Sequence, residues 1–189
     1  DYLSIPLIQT QENPLELTHE ECWLIGRYIA DGYIRNGQRP DRPEGSTFNT
    51  VMFCIGKGKL NDFENHLTAH KAGKSCERNV AKYAIRDSRL LHLCEMCGTG
   101  AENKIIPVAL LNLPIELLTS VVEGYMSGDG CCVQGRCKAT TVSRALAYSL
   151  GAAVAKAYRV PYCVYRADVP ATTAIEGRTV NQKPLYQVT

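Results

Sequence analysis

No stretch of this chain approaches the ~18 consecutive apolar residues that a membrane-spanning helix requires, so a membrane partner is not expected. The opening residues, Asp1-Tyr2-Leu3-Ser4-Ile5-Pro6, offer neither the basic nor the apolar segment of a secretory signal. Charge of one sign is also lacking. The 21 Lys+Arg and 19 Asp+Glu leave a net charge of only +2. Residues 1–107 hold 13 basic and 14 acidic side chains and residues 108–189 hold 8 and 5, with no polybasic run in either half. A nucleic-acid partner would therefore have to be held by basic side chains gathered on one face, not by bulk charge. Cysteine, in contrast, is plentiful: nine residues, an odd number at irregular spacing. That pattern fits reduced thiols in a cytosol better than a disulfide framework. With 45% apolar and 21% charged residues over 189 positions, the composition is that of one globular domain, or of two small halves sharing a core.

An internal repeat supports the second description. Leu24-Ile25-Gly26-Arg27-Tyr28-Ile29-Ala30-Asp31-Gly32 is matched by Val122-Glu123-Gly124-Tyr125-Met126-Ser127-Gly128-Asp129-Gly130, with the two aspartates 98 residues apart. Each segment reads as a helix with small residues four apart, ended by Asp-Gly. Thr18 and Glu21 have capping-box spacing at the start of the first helix, Pro114 marks the start of the second, and Gly32 and Gly130 stop them. Strands are expected at Gly32 to Arg35, Thr47 to Ile55 and Val80 to Arg86 in the first half, with helices around Leu60, Phe63 and Leu67 and from Leu90 to Met96. In the second half strands are expected at Cys131 to Gln134, Arg136 to Val142, Tyr162 to Val169 and Pro184 to Val188, with a helix from Ser143 to Tyr158. Segregated helices and hairpins of this kind mean an α+β fold.

The paired helices also carry chemistry. Gly26 and Ala30 share one face of the first, and Gly124 and Gly128 one face of the second, so the two backbones can approach closely. That contact would bring Asp31 and Asp129 together at two helix C-termini. There each faces the negative end of a helix dipole, at a cost of roughly 0.3–1 kcal/mol, and the two repel each other. A bridging hard divalent cation removes both penalties. One isolated Asp-Gly merely ends a helix in a turn; two in matching contexts point to a metal-dependent phosphodiester site.

These two segments resemble the paired signature motifs of the LAGLIDADG homing endonucleases in their single-chain, two-motif form. Asn103-Lys104-Ile105-Ile106-Pro107 resembles the lysine-plus-Ile-Pro block of the intein-associated members, and Asp1 to Pro6 looks like the seam with a splicing domain. No splicing motif is present, since residue 1 is Asp and the chain does not end in His-Asn. The resemblance implies pseudo-twofold duplicated αββαββα units, with signature helices packed at the centre and two antiparallel sheets forming a saddle over double-stranded DNA. It divides the chain into a lead-in (1–17) and two halves (18–107 and 108–189). It implies a monomeric, intracellular, site-specific endonuclease that makes double-strand breaks in a long asymmetric target, using Mg²⁺ with Mn²⁺ as substitute. Asp31 and Asp129 take the role of metal-binding catalytic acids, and Ala30 and Gly128 lend backbone carbonyls to the metal. Lys104 matches the family's basic residue in the first half, and Lys183 is the nearest second-half equivalent. Arg27, Tyr28 and Ser127 depart from the family's usual residues.

The strands should read DNA. Gln134, Arg136, Lys138 and Thr140 alternate with Gly135, Cys137 and Ala139, which places four polar side chains on one sheet face. A solvated outer face would show the same alternation. Arg35, Arg39 and Arg42 in a first-half loop, and Arg166, are weaker DNA-binding candidates. Two other functions compete: a cleavage-inactive DNA- or RNA-binding protein of the same fold, such as a maturase or regulator, and a zinc-stabilised module. The latter would be built on Cys94-x-x-Cys97 with His66, His70 or His92, with Cys131-Cys132 as a lesser possibility.

Overall fold

The computed structural model of the chain describes residues 11–38, 47–170, 172–175 and 178–189. Two long helices form its centre. α1 (His19–Asp31) opens on the expected capping box, with the Thr18 hydroxyl accepting from the Glu21 N–H at 3.2 Å and Glu21 Oε2 accepting from the Thr18 N–H at 2.9 Å. α5 (Ile115–Asp129) starts one residue later than expected, with Pro114 itself in the extended capping conformation. Gly32 and Gly130 end the two helices, each donating its N–H to a carbonyl four residues back.

Two antiparallel four-stranded sheets flank them. In the first half come β1 (Tyr33–Gln38), β2 (Thr47–Gly56), α2 (Leu60–Asn65), β3 (Ala72–Glu77), β4 (Val80–Ile85) and α3 (Ser88–Met96), with sheet order β1-β2-β4-β3. A short α4 (Val108–Leu111) leads into α5. The second half continues with β5 (Gly130–Val133), β6 (Arg136–Thr141), α6 (Arg144–Tyr158), β7 (Val164–Ala167), β8 (Thr172–Ile175), β9 (Arg178–Asn181) and β10 (Leu185–Val188). Its sheet order is β5-β6-β10-β7, so β1, β2, β4 and β3 correspond in turn to β5, β6, β10 and β7. The second half differs by one insertion, a separate hairpin, β8–β9, placed before its last strand.

Each sheet turns one face to the helices. Val51, Phe53 and Ile55 on β2 and Ala81, Tyr83 and Ile85 on β4 are buried on the same side. Phe63 of α2 closes over them, with its ring centroid 5.1 Å from Phe53 and 4.9 Å from Tyr83. Fully burying an aromatic of this size contributes about 1.5–3 kcal/mol. Sequence reasoning missed β3 because it is an edge strand: only Ala72 is half-buried and the other five residues are exposed, so no alternation marks it. Leu67 lies past the end of α2 but still packs on the core. At the lead-in, Leu17 is buried and the Glu12 N–H donates to the Asn112 carbonyl at 2.9 Å; Asp1 to Pro6 lie outside the described residues.

The expectation of reduced thiols throughout is corrected at one point. Cys132 and Cys137 are register partners across β5 and β6, with Cα atoms 4.1 Å apart, and are joined by a disulfide. The other seven cysteines are free thiols. Among the described residues no helix is long and apolar enough to cross a membrane.

Candidate active site

The two signature helices meet backbone to backbone. A Cβ added at Gly26 would fall 2.0 Å from the Val121 carbonyl oxygen, and one at Gly124 would fall 2.0 Å from that of Trp23. Val121 precedes Gly124 by three residues, as Trp23 precedes Gly26, so the contact is itself pseudo-symmetric. One turn further on, a Cβ at Gly128 would lie 2.5 Å from that of Ala30. All four small residues therefore lie in the interface, and they bring the helix ends side by side. Asp31 and Asp129 come within hydrogen-bonding reach of one another. Partial desolvation, then the adjacent Asp31 carboxylate, push Asp129 up to about 6, while Arg27 and Lys59 pull the other way.

Basic groups surround the pair. Lys104 is held in place by the block that carries it. Its carbonyl accepts from the Ser143 hydroxyl at the start of α6 at 2.7 Å, and the Ile106 N–H donates to Ser149 Oγ at 3.1 Å. Its ammonium points the other way, donating to the carbonyls of Tyr28 (2.8 Å) and Gly32 (3.1 Å) at the C-terminal end of α1. Lys104 is only 4% exposed, and desolvation lowers its pKa to about 8. It lines a cavity of about 390 Å³ that also touches Ala30, Asp31, Gly32, Asp129 and Thr140.

Sequence reasoning missed Lys59. It closes the Gly56-Lys57-Gly58-Lys59 turn after β2 and donates to the Ser127 and Gly128 carbonyls at the end of α5, at 2.7 and 2.8 Å. Each signature helix thus has a lysine on its last carbonyls, where a cation is favoured by the dipole. Lys59 holds the place at α5 that Lys183 was expected to take. Lys183 instead pairs with Glu102, on the turn before Lys104. No local pattern in the sequence marks Lys59; only the fold brings it to residues nearly 70 positions away.

The donors around the pair are carboxylate and carbonyl oxygens, the set that hard divalent ions prefer. The ammonium of Lys59 already sits on the Gly128 carbonyl, which shows that this oxygen is presented to a cation. The residues present therefore fit Mg²⁺ or Mn²⁺. The zinc alternative has no comparable support. Cys94 and Cys97 are fully buried in the core, where burial raises both thiols, and among the described residues no three His, Cys, Asp or Glu side chains converge. His66 is stacked on Trp23, and His70 pairs with Asp87.

The outer sheet faces carry the candidate DNA readers. Arg136, Lys138 and Thr140 lie on the face of β6 opposite the buried Ala139. Gln134 does not join them by alternation: it sits in the β5–β6 turn with φ of 51°, beside Gly135 at 75°. Arg166 is also displaced. Register pairs it with Tyr186, and Thr140 with Gln187, which pairs in turn with Tyr165. Tyr165 and Gln187 therefore share the Thr140 face, and Arg166 lies on the other face of β7, paired with Asp168 at 3.0 Å. On the first sheet Arg35 lines a shallow depression of about 470 Å³ with Phe48, Thr50, Ser75, Lys82 and Arg86. Arg86 stacks on Phe48 at 5.0 Å, and the buried Thr50 hydroxyl has no partner. Arg39 and Arg42 lie outside the described residues.

The fold has counterparts among solved structures. The structure of I-DmoI in complex with DNA and Mn superposes with a TM-score of 0.61, covering 90% of this chain and 88% of that one at 9% identity. That of I-DmoI with DNA and Ca gives the same TM-score over 90% and 81%. The fold is that of the homing endonuclease I-DmoI. At 9% identity the likeness to I-DmoI is one of architecture, not of side chains. By sequence, the chain is similar to DNA polymerases of Thermococcus litoralis (27% identity over 107 residues, 57% of this chain) and Thermococcus kodakarensis (30% over 126 residues, 66% of this chain). It spans only 6% and 7% of those polymerases' lengths. No protein-family model matches the chain.

Proposed function

We propose that this protein is a site-specific DNA endonuclease that makes double-strand breaks in a long, asymmetric target by divalent-metal-dependent phosphodiester hydrolysis. The observation that carries this reading is the meeting of Asp31 and Asp129 at the ends of two helices packed through glycine. Packing alone gives no reason to bring two carboxylates together at two negative helix ends. A divalent ion held by Asp31, Asp129 and the Ala30 and Gly128 carbonyls would supply Lewis acidity and an activated water. Lys104, with its pKa lowered toward neutrality, can hold or yield a proton beside Asp31. Lys59 offers a second ammonium beside Asp129, near which phosphate charge would gather.

The two sheets, in residues 18–107 and 108–189, would each read one side of an asymmetric duplex, with Arg35, Lys82 and Arg86 on one and Arg136, Lys138, Thr140, Tyr165 and Gln187 on the other. Both aspartates lie in one chain, so a monomer suffices. A chain that matches a small fraction of a polymerase while folding like a homing endonuclease is what an element inserted in a polymerase gene would give, and this supports the intein-associated form. One observation favours a second reading. The Arg27–Asp31 ion pair neutralises a carboxylate without any metal, as a non-cleaving DNA-binding protein of this fold could afford.

One experiment separates the two. Purified protein is incubated with a library of randomised duplexes and Mg²⁺, and the double-strand ends are sequenced. The expected result is cleavage at a defined site, lost with EDTA and lost in Asp31→Asn and Asp129→Asn, while both variants still retard the selected duplex. Retention of the duplex by wild type without cleavage, in Mg²⁺ or Mn²⁺, would establish the binding protein instead. Cleavage at the wild-type rate by both variants would refute the site.

A further inference from the structure

A cation lies beneath the two carboxylates that the chemistry above does not use. Arg27, one turn before the end of α1, is 2% exposed. Its Nη2 is 2.6 Å from Asp31 Oδ2, and its Nη1 donates across the interface to Ser127 Oγ at 3.4 Å. Gly128 makes the space, since a Cβ there would fall 2.7 Å from Arg27 Nη1. The guanidinium is not fully satisfied: Nε is buried without a partner. In the repeat, Arg27 follows Gly26 as Tyr125 follows Gly124, and Tyr125 is also fully buried. The position needs a large buried side chain, and in the other helix an uncharged one serves.

A buried guanidinium stays charged and is costly to desolvate, so packing alone does not account for it. Its electrostatic effect is plain. With Lys59 on the Gly128 carbonyl, Arg27 offsets the two negative charges of Asp31 and Asp129. We propose that Arg27 is a positioning residue: it fixes the Asp31 carboxylate through Oδ2 and acts as a built-in counter-cation that keeps the carboxylate pair together and holds its affinity for divalent ions down. A pair already compensated in this way gains a metal ion readily only when more negative charge arrives, and the phosphates of bound DNA bring it. The inference rests on the reading of Asp31 and Asp129 as metal ligands.

The test is direct Mn²⁺ binding to the full chain without DNA, followed by the electron paramagnetic resonance of free Mn²⁺, together with melting temperatures with and without the ion. Arg27→Met should bind Mn²⁺ about 10–100-fold more tightly than wild type, as expected for removing a unit charge a few ångströms from a dication in a partly screened site. It should also melt lower without metal and recover with Mn²⁺. Arg27→Lys, which keeps the charge, should stay within about 3-fold of wild type. A residue that only filled space would lower the melting temperature without tightening the ion. Should Arg27→Met fail to fold, Arg27→Gln provides the same comparison. Equal or weaker Mn²⁺ binding in the charge-removing variant, with binding by wild type intact, overturns the role of Arg27 alone. Absence of binding in every variant at millimolar Mn²⁺ without DNA overturns the role of Arg27, and absence that persists with the selected duplex present overturns the metal reading itself.

Discussion

The helix interface gives the sharpest stability test, because the space at Gly124 is bounded by backbone. The methyl group of Gly124→Ala would sit 2.0 Å from the Trp23 carbonyl oxygen and 2.8 Å from its carbonyl carbon. A comfortable carbon-to-oxygen contact is about 3.3–3.6 Å, so two rigid helices must part by roughly 1.3 Å or bend by as much. Side chains cannot absorb this, since the obstacle is main chain on both sides. Overpacking of this kind costs about 1–3 kcal/mol, which for a chain of this size lowers the melting temperature by about 2–12 °C. Catalysis should suffer more. Asp31 and Asp129 move apart with the helices, and a displacement near 1 Å can cost about 100-fold in rate. At Gly128→Ala the neighbours are the Ala30 methyl at 2.5 Å and the Arg27 guanidinium at 2.7 Å. The guanidinium is the far end of a flexible side chain but the Ala30 methyl is fixed to its helix, so a comparable stability loss should come with a larger disturbance of the Arg27–Asp31 pair. Thermal melts of both variants, set beside Mg²⁺-dependent cleavage of the selected duplex, decide the matter. A Gly124→Ala protein that melts within 1 °C of wild type and cleaves at its rate would show that the helices do not meet through this glycine.

Two further outcomes are expected. Asp129 has its folded pKa raised to about 6, above its ordinary 3.8; its ionised form is therefore penalised in the metal-free fold above pH 6, and the penalty fades as pH falls through 6 toward 4. Asp129→Asn should accordingly melt higher than wild type without metal at pH 7.5, with the gain shrinking at pH 5; a gain that persisted unchanged at pH 5 would rule out the carboxylate repulsion. On the second sheet, Arg136→Ala should relax base preference at one or two adjacent positions of the target, by about 1–3 kcal/mol of discrimination, whereas Arg166→Ala, on the opposite face, should leave the preference unchanged. Sequencing of cleaved library members for each variant reads this directly. The same relaxation from both would mean that the register of β7 does not separate them.

The elements that were legible in the sequence are those whose burial follows a period. α1 announced itself by Thr18, Glu21 and the run Trp23, Leu24, Ile25, and the structure forms the capping box at those atoms. β4 showed because Ala81, Tyr83 and Ile85 alternate into the core, and β2 showed as a largely apolar run, with Thr50, Val51, Met52 and Phe53 buried in succession. β3 and the hairpin β8–β9 did not show: the former is an exposed edge, held by main-chain pairing to β4 rather than by a buried face, and the latter pairs only with itself. Pairing energy of that kind leaves no mark on residue type. The disulfide was hidden for a related reason. Cys137 lies five positions after Cys132, but only a two-residue turn at Gln134 and Gly135 makes them register partners.

The candidate site divides along the same line. Asp31, Asp129 and the four small residues lie in a repeated segment, where comparing the chain with itself reveals them. Lys59 lies in no repeat, and its partners Ser127 and Gly128 are reached through the turn after β2. Arg27 was visible only as a departure from the residues expected there, and its meaning waited on finding which carboxylate it meets. The reading face shows the limit of period-two reasoning most clearly. Alternation placed Arg136, Lys138 and Thr140 correctly relative to Ala139 within one strand, but it cannot carry across strands. Adding Gln134 failed because a left-handed turn residue breaks the period. Adding Arg166 failed because the face of β7 is set by its pairing with β10, and a shift of one residue there exchanges Arg166 for Tyr165. Which side chains share this sheet's outer face therefore depends on register, a property of the whole sheet, while the meeting of Asp31 and Asp129 depends on two helix ends that the repeat already names.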